Sequence, residues 1–287
     1  MSAIFRHELQ SYFHSLSAYV FGAFLLMFIG LGAMLYNIQQ SLSNFEYVLG
    51  FTELVFAVII PILTMRVIAE EKKQKTDQLL YSLPVTTTQV VIGKYLALLV
   101  VFLIPAAIIA IYPEIFARFG SVYLPTSYGS LFAFFLMGAA FIAIGVFISS
   151  LTENQGLAAG ISIAVILFNY FSVDLADYVS TSAVGSFAAI IVLIVLLWFV
   201  INSLTGNENI AYAVYLILFV LAAITYWKDG ASMEGLLPSI MTKLSLFDRF
   251  TDFINGVFDL TSVVFYCTVI VLFLFLTVQS LEKKRYN

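Results

Sequence analysis

Charge is scarce in this chain. Only 10% of its 287 residues are Asp, Glu, Lys or Arg, where soluble domains carry about 25%. That shortage excludes an ordinary soluble globular domain, and a hydrophobic content of 62% with a mean hydropathy of +1.02 points to an integral membrane protein. Cysteine is almost absent. The single Cys267 lies in an apolar run, which excludes a disulfide framework and a cysteine-based metal site. Histidine is limited to His7 and His14 near the amino terminus, with no partners at depth, so neither a metal site nor catalysis is expected of them. A phosphate-binding loop is also missing. Gly93 and Lys94 look like the end of a Walker A sequence, but Tyr95 replaces the Ser or Thr and Thr88 stands where the first Gly belongs. No cofactor and no nucleic-acid partner are expected for this chain.

Long apolar runs are what the chain has instead. A spanning helix needs about 20 apolar residues. The runs place spans at about 18–37, 49–67, 93–112, 128–150, 156–173, 185–204, 209–227 and 261–280, an all-α polytopic fold with both termini on one side of the bilayer. The first run lacks a small-residue cleavage site and is followed by many more, so it reads as a span and not as a signal peptide.

Ahead of it, in residues 1–17, Ile4, Phe5, Leu9, Tyr12, Phe13 and Leu16 recur at helical spacing with Arg6, His7, Glu8, Gln10 and His14 between them. That pattern suits an amphipathic helix in the inner interface. A polar extension of the first span is the alternative. Between about 228 and 260, Ile240, Leu244, Phe247, Phe250, Ile254 and Val257 recur every three or four residues, which predicts one or two short amphipathic helices on the outer leaflet or, alternatively, an ordered outer loop.

Lysine and arginine set the orientation. With the amino terminus inside, the inner side holds nine: Arg6, Arg66, Lys72, Lys73, Lys75, Lys94, Lys283, Lys284 and Arg285. The outer side holds four, Arg118, Lys228, Lys243 and Arg249. The chain is therefore expected in a plasma membrane with both termini cytoplasmic. Among the acids left outside, Glu53 near the outer end of the second span is the isolated charge with a candidate functional role. A snorkelling interfacial acid is the competing account.

The densest polar run, Arg66 to Lys94, interrupts the apolar sequence on the inner side. Thr76 suits a helix cap, with Asp77 favourable in the first turn. Leu79, Leu80 and Leu83 give that short helix an apolar face, and Pro84 ends it. Thr86 to Gln89 then matches a capping box that starts the third span. The result is a short helix between two spans, suited to passing on a push. Small residues suggest close helix approach at Gly138 and Gly145 and at the pair Gly156 and Gly160. These are candidates for a dimer interface or for packing within one protomer. Pro61 and Pro105 fall inside the second and third spans, where they kink or loosen a helix.

Several of these residues together resemble a known family. Met65 and Arg66, then Ala69, Glu70 and Glu71, then Thr76, Leu79, Leu80, Ser82 and Pro84, then Gly93 to Ala97, are similar to the signature of ABC type-2 permeases, closest to the gliding-motility-associated subgroup. The carboxyl end, with Leu244 to Phe250, Gly256 and Val257, Asp259 and Leu260, Phe273 to Val278 and Leu281 to Arg285, and the start, with Glu8, Ser11 to Phe13, Ser15 and Ala18 to Val20, are similar too. The resemblance implies a permease domain over 18–287 with six core spans plus an extra pair at about 185–227, and a coupling segment at 68–92.

It further implies an exporter fold whose ATPase-coupling residues are Glu70, Glu71, Thr76, Asp77, Gln78, Leu79, Leu80, Ser82, Leu83 and Pro84. The implied partners are two copies of an ABC ATPase that holds ATP and Mg, a second permease protomer, identical or homologous, the bilayer of a bacterial plasma membrane, and an auxiliary membrane protein. The subgroup usually has Gly where Lys75 stands and Glu where Gln78 stands.

Other classes are weighed by what they lack here. A secondary transporter or channel without an ATPase needs paired charges or broken helices at mid-membrane, and the spans are nearly free of charge. An intramembrane enzyme needs catalytic groups inside spans, and none are present. A structural membrane anchor keeps the same docking helix and is separated only by a transport assay.

Overall fold

A computed structural model describes residues 2–76, 85–205, 208–228 and 233–286. Among the described residues the regular structure is helical, as the apolar periodicity dictates. In chain order the helices are α1 Ser2–His14, α2 Leu16–Gly32, α3 Glu46–Thr52, α4 Phe56–Thr64, α5 Ala69–Gln74, α6 Thr87–Ile109, α7 Tyr112–Ala117 and α8 Leu124–Leu151. They continue with α9 Gln155–Tyr178, α10 Ala183–Thr205, α11 Glu208–Lys228, α12 Leu236–Leu244, α13 Leu246–Ile254 and α14 Leu260–Tyr286. A π-helical turn, Ala33–Gln39, extends α2, and a 3-10 turn, Glu53–Val55, joins α3 to α4.

Seven helical stretches among the described residues are long and apolar enough to cross a membrane. The run expected at 185–204 is helical over Ala183–Thr205, and its described apolar part ends at Phe199. The chain divides into two compact units, one of 1–167 with 249–278 and the other of 168–248 with 279–287.

The first unit is built around α8. Two glycines let other helices approach it. A Cβ added at Gly145 would stand 2.2 Å from Thr64 Oγ1, and one at Gly138 would stand 2.4 Å from Cε1 of Phe102. Aromatic rings fill the space beside them. Phe56 lies 4.5 Å from Phe134 between ring centroids, Phe102 stacks on Phe135 at 5.1 Å, and Phe250 packs on Phe134 at 5.9 Å. At the start of α14, Asp259 acts as the cap: Oδ1 accepts the Thr261 amide and Oδ2 accepts both the amide and the hydroxyl of Ser262.

Those bonds, the Ser262 hydroxyl first, hold the Asp259 carboxyl down at about 2 from its ordinary 3.8. A depressed carboxyl stabilises the fold above its ordinary value and loses that contribution as pH falls through the folded one. Amide exchange at Thr261 and Ser262 is therefore expected to rise as pH drops from about 4 to about 2, after correction for intrinsic rates, and to show no such step in Asp259→Asn.

In the second unit, Asn169 of α9 ties the joint between α12 and α13. Its Oδ1 accepts the Leu246 amide at 2.9 Å, its Nδ2 donates to the Leu244 carbonyl at 3.2 Å, and its own carbonyl accepts the Ser245 hydroxyl at 3.3 Å. A helix break frees backbone groups that need partners, and here a side chain from another helix supplies them. Asn169→Leu removes both side-chain bonds at nearly constant volume. It is expected to cost about 1–2 kcal/mol, read as faster exchange of the Leu246 amide. The pair α10 and α11 packs together, with Phe187 stacked on Tyr226 at 4.6 Å.

Candidate functional site

The helical run that begins at Glu46 breaks after Thr64 and resumes at Ala69. One hydroxyl repairs the break. Ser149, near the end of α8, accepts the amides of Ile68 at 3.2 Å and Ala69 at 3.1 Å, and donates to the Met65 carbonyl at 3.1 Å. One further residue of this joint reaches the last turn of α8. Lys72, buried, donates from Nζ to the Ser150 carbonyl, where a cation suits the negative end of the helix dipole. α5 ends with Lys75 in the left-handed region at φ 58°, with the Lys75 amide on Lys72 O and the Thr76 amide on Glu71 O. That pair of bonds is the Schellman closure, whose turn residue is usually glycine. Lys75 therefore holds a conformation that a side chain disfavours.

On its other side α5 meets a buried ion cluster. Lys94 of α6 is 1% exposed, and its Nζ reaches Glu8 Oε1 of α1 at 2.6 Å, Glu71 Oε1 of α5 at 2.7 Å and the Val67 carbonyl at 3.2 Å. A buried ammonium is tolerated when its three protons are all matched, and these three acceptors match them. Arg66 adds a second layer. Its Nε pairs with Glu70 Oε2 at 3.3 Å, its Nη1 donates to Ser17 Oγ at 2.9 Å, and its guanidinium lies 5.4 Å from the Tyr12 ring centroid. Tyr12 donates its hydroxyl to Leu63 O, and burial pushes that hydroxyl well above its ordinary range, so it stays a donor. α1 is thereby a separate helix, broken from α2 at the extended Ser15, and bound to α6. At Gly93 an added Cβ would come 3.2 Å from Ile4.

Of the residues expected from sequence, Glu70 and Glu71 take part in these two charge clusters. Thr76 bonds its hydroxyl back to Glu71 O. Asp77, Gln78, Leu79, Leu80, Ser82, Leu83 and Pro84 lie outside the described residues. Beyond them Thr86 caps α6, accepting the Gln89 amide. Gly138 and Gly145 sit at crossings within the chain, whereas a Cβ at Gly160 would meet nothing within 4 Å and one at Gly156 only Asn154 Oδ1 at 3.4 Å. Glu53 opens the 3-10 turn, and its Oε2 is buried without a hydrogen-bond partner among the described residues. Glu46, about two helical turns earlier in the chain, is more deeply placed at 2% exposure, with Oε1 accepting the Ser127 hydroxyl at 2.8 Å.

The residues that sequence reasoning passed over are Lys94 as an anchor, Glu8 as its partner, Ser149 and Lys72. A charged residue inside an apolar helix is the signal that was available for Lys94. Ser149 offered none.

A family profile described as ABC-2 family transporter protein matches residues 32–176. That match covers half of the chain. The chain belongs to the ABC-2 transporter family. Comparison with individually curated proteins finds no match. As a member of the ABC-2 family with multiple apolar helices, it is a multi-pass membrane permease component of transport, not itself catalytic. The matched segment of this ABC-2 permease contains α3 to α8 and most of α9, and so contains Lys94, Glu71, Lys72 and Ser149. Glu8 lies outside it.

Proposed function

We propose that the chain is the permease subunit of an ATP-driven exporter, and that a separate ATPase pushes on residues 76–84 from the cytoplasmic side. The observation that carries this reading is the way α5, the element leading into that segment, is tied. Ser149 and Lys72 bind it to the end of α8, and Glu71 binds it through Lys94 to α6 and to α1. A displacement delivered just beyond Thr76 meets hydrogen bonds and ion pairs rather than a loose loop. The spans then rearrange together. The orientation follows the inner cluster of Lys and Arg, and the family supports an ABC ATPase partner and a second permease protomer. ATP and Mg belong to that partner. The resemblance to the gliding-motility-associated permeases is part of the same reading.

The test uses the permease reconstituted with its ATPase. Leu79→Asp or Leu83→Asp is expected to abolish co-purification of the ATPase and permease-stimulated ATP turnover, while membrane insertion persists. Retention of both properties overturns the coupling assignment. ATP hydrolysis without transport of any cargo class by an otherwise intact complex favours an anchoring role.

A further inference from the structure

Three cations around α5 have acceptors within the chain. Arg66 pairs with Glu70, Lys94 reaches Glu8 and Glu71, and Lys72 donates to the Ser150 carbonyl. Lys73 and Lys75 differ. Both are exposed, and neither ammonium makes an ion pair or a hydrogen bond among the described residues. Lys75 also stands in the left-handed region at φ 58°, where glycine fits freely and a side chain crowds the backbone. The chain accepts that cost at the residue that closes α5 and leads into 76–84. A charge kept at the surface against the preference of its own backbone points to a use outside the chain.

The position of the charge narrows that use. Gln74, one residue earlier, is exposed and helical. A lysine there adds to the inner positive count, or attracts an anionic headgroup, without strain. Both effects depend on charge near the bilayer surface and not on its exact place. A contact with a shaped protein surface does depend on place.

We propose that Lys75, with Lys73 two residues before it, contacts an acidic surface of the ATPase at the edge of the segment that the ATPase pushes. The contact rests on the ATPase reading and adds to it a pair of residues outside 76–84. Two ammonium groups suit neighbouring carboxylates on the partner. Exposed charges of this kind act mainly on the rate of encounter and on its salt dependence, so the pair steers the ATPase towards 76–84.

The experiment measures the affinity of the full-length permease, in phosphatidylcholine nanodiscs, for the ABC ATPase that co-purifies with it, at about 50 mM and about 300 mM salt. Lys75→Gly removes charge and strain together, so its two effects have opposite signs. The melting temperature of the permease alone is expected to rise by about 2 °C, while affinity at low salt falls about two- to fivefold. Lys73→Gln combined with Lys75→Gly is expected to weaken binding about tenfold, and the difference from wild type to shrink at high salt. Lys75→Asn, neutral and suited to the left-handed turn, is expected to bind as weakly as Lys75→Gly, and Lys75→Arg as tightly as wild type. Equal or tighter binding by Lys75→Gly and Lys75→Asn overturns the proposal and leaves the ATPase reading standing. A wild type that binds no ABC ATPase overturns both. A loss of affinity that occurs only when phosphatidylglycerol is added to the nanodiscs assigns the lysines to lipid headgroups and overturns the contact as well.

Discussion

Replacing Lys94 by Met is expected to destabilise the permease by about 3–5 kcal/mol, among the largest losses available to a single substitution here. Two carboxylates, Glu8 and Glu71, now converge on one ammonium that is 1% exposed. Without it both carboxylates lose the ammonium they share, and the Val67 carbonyl loses a donor as well. The methionine side chain is close to lysine in length, so lost volume is a minor part of the effect. The diagnostic variant is the triple, Lys94→Met with Glu8→Gln and Glu71→Gln, which removes the stranded charges. It is expected to recover most of the loss, because burying matched neutral groups costs far less than burying an unpaired charge. Thermal unfolding in detergent measures both. If Lys94→Met melts with the wild type, the cluster does not hold α1, α5 and α6 together.

Gly145 gives the second large effect. An added Cβ falls 2.2 Å from Thr64 Oγ1 and 2.8 Å from Thr64 Cβ, distances that real atoms do not share. Thr64 cannot simply turn away at no cost, since its hydroxyl donates to Ile60 O at 2.9 Å. Gly145→Ala is therefore expected to force α4 and α8 apart and to cost about 1–3 kcal/mol, and Gly145→Leu to prevent assembly of the first unit. Gly160→Ala is the matched comparison. Nothing lies within 4 Å of its added Cβ, so it is expected to be neutral or to stabilise its helix by up to about 1 kcal/mol. Equal melting temperatures for the Gly145 and Gly160 variants would show that the α4–α8 crossing is looser than described.

The contrast between these glycines shows how much of the molecule was legible in its sequence. Hydrocarbon content and run length placed the spans, since a bilayer demands both from a local stretch. Thr86 as a cap was legible for the same reason, because its partner is three residues away. By contrast Gly138, Gly145, Gly156 and Gly160 look alike in sequence, and only the helix that happens to lie opposite distinguishes a tight crossing from open space. Lys94 illustrates the same limit. Its carboxylate partners are 23 and 86 residues away, and without them it reads as the end of an incomplete Walker A sequence or as one more inner-side cation. Glu53 drew notice as an isolated acid, yet Glu46 is the one more deeply enclosed, held by Ser127 of α8, a partner 81 residues away. Lys75 is the reverse case. The departure from glycine was visible in sequence, and the left-handed backbone supplies its meaning.

The single hydroxyl of Ser149 sits on a helix with little direct exposure to lipid. Of the apolar window of α8, 72% is buried, against 33% for that of α2. Changes in bilayer thickness act on a helix through the surface it shows to the acyl chains. In the first unit they therefore bear on α2 more than on α8. The last turn of α8, whose Ser149 and Ser150 hold α5, therefore belongs to a helix that offers the acyl chains less of its surface than α2 does.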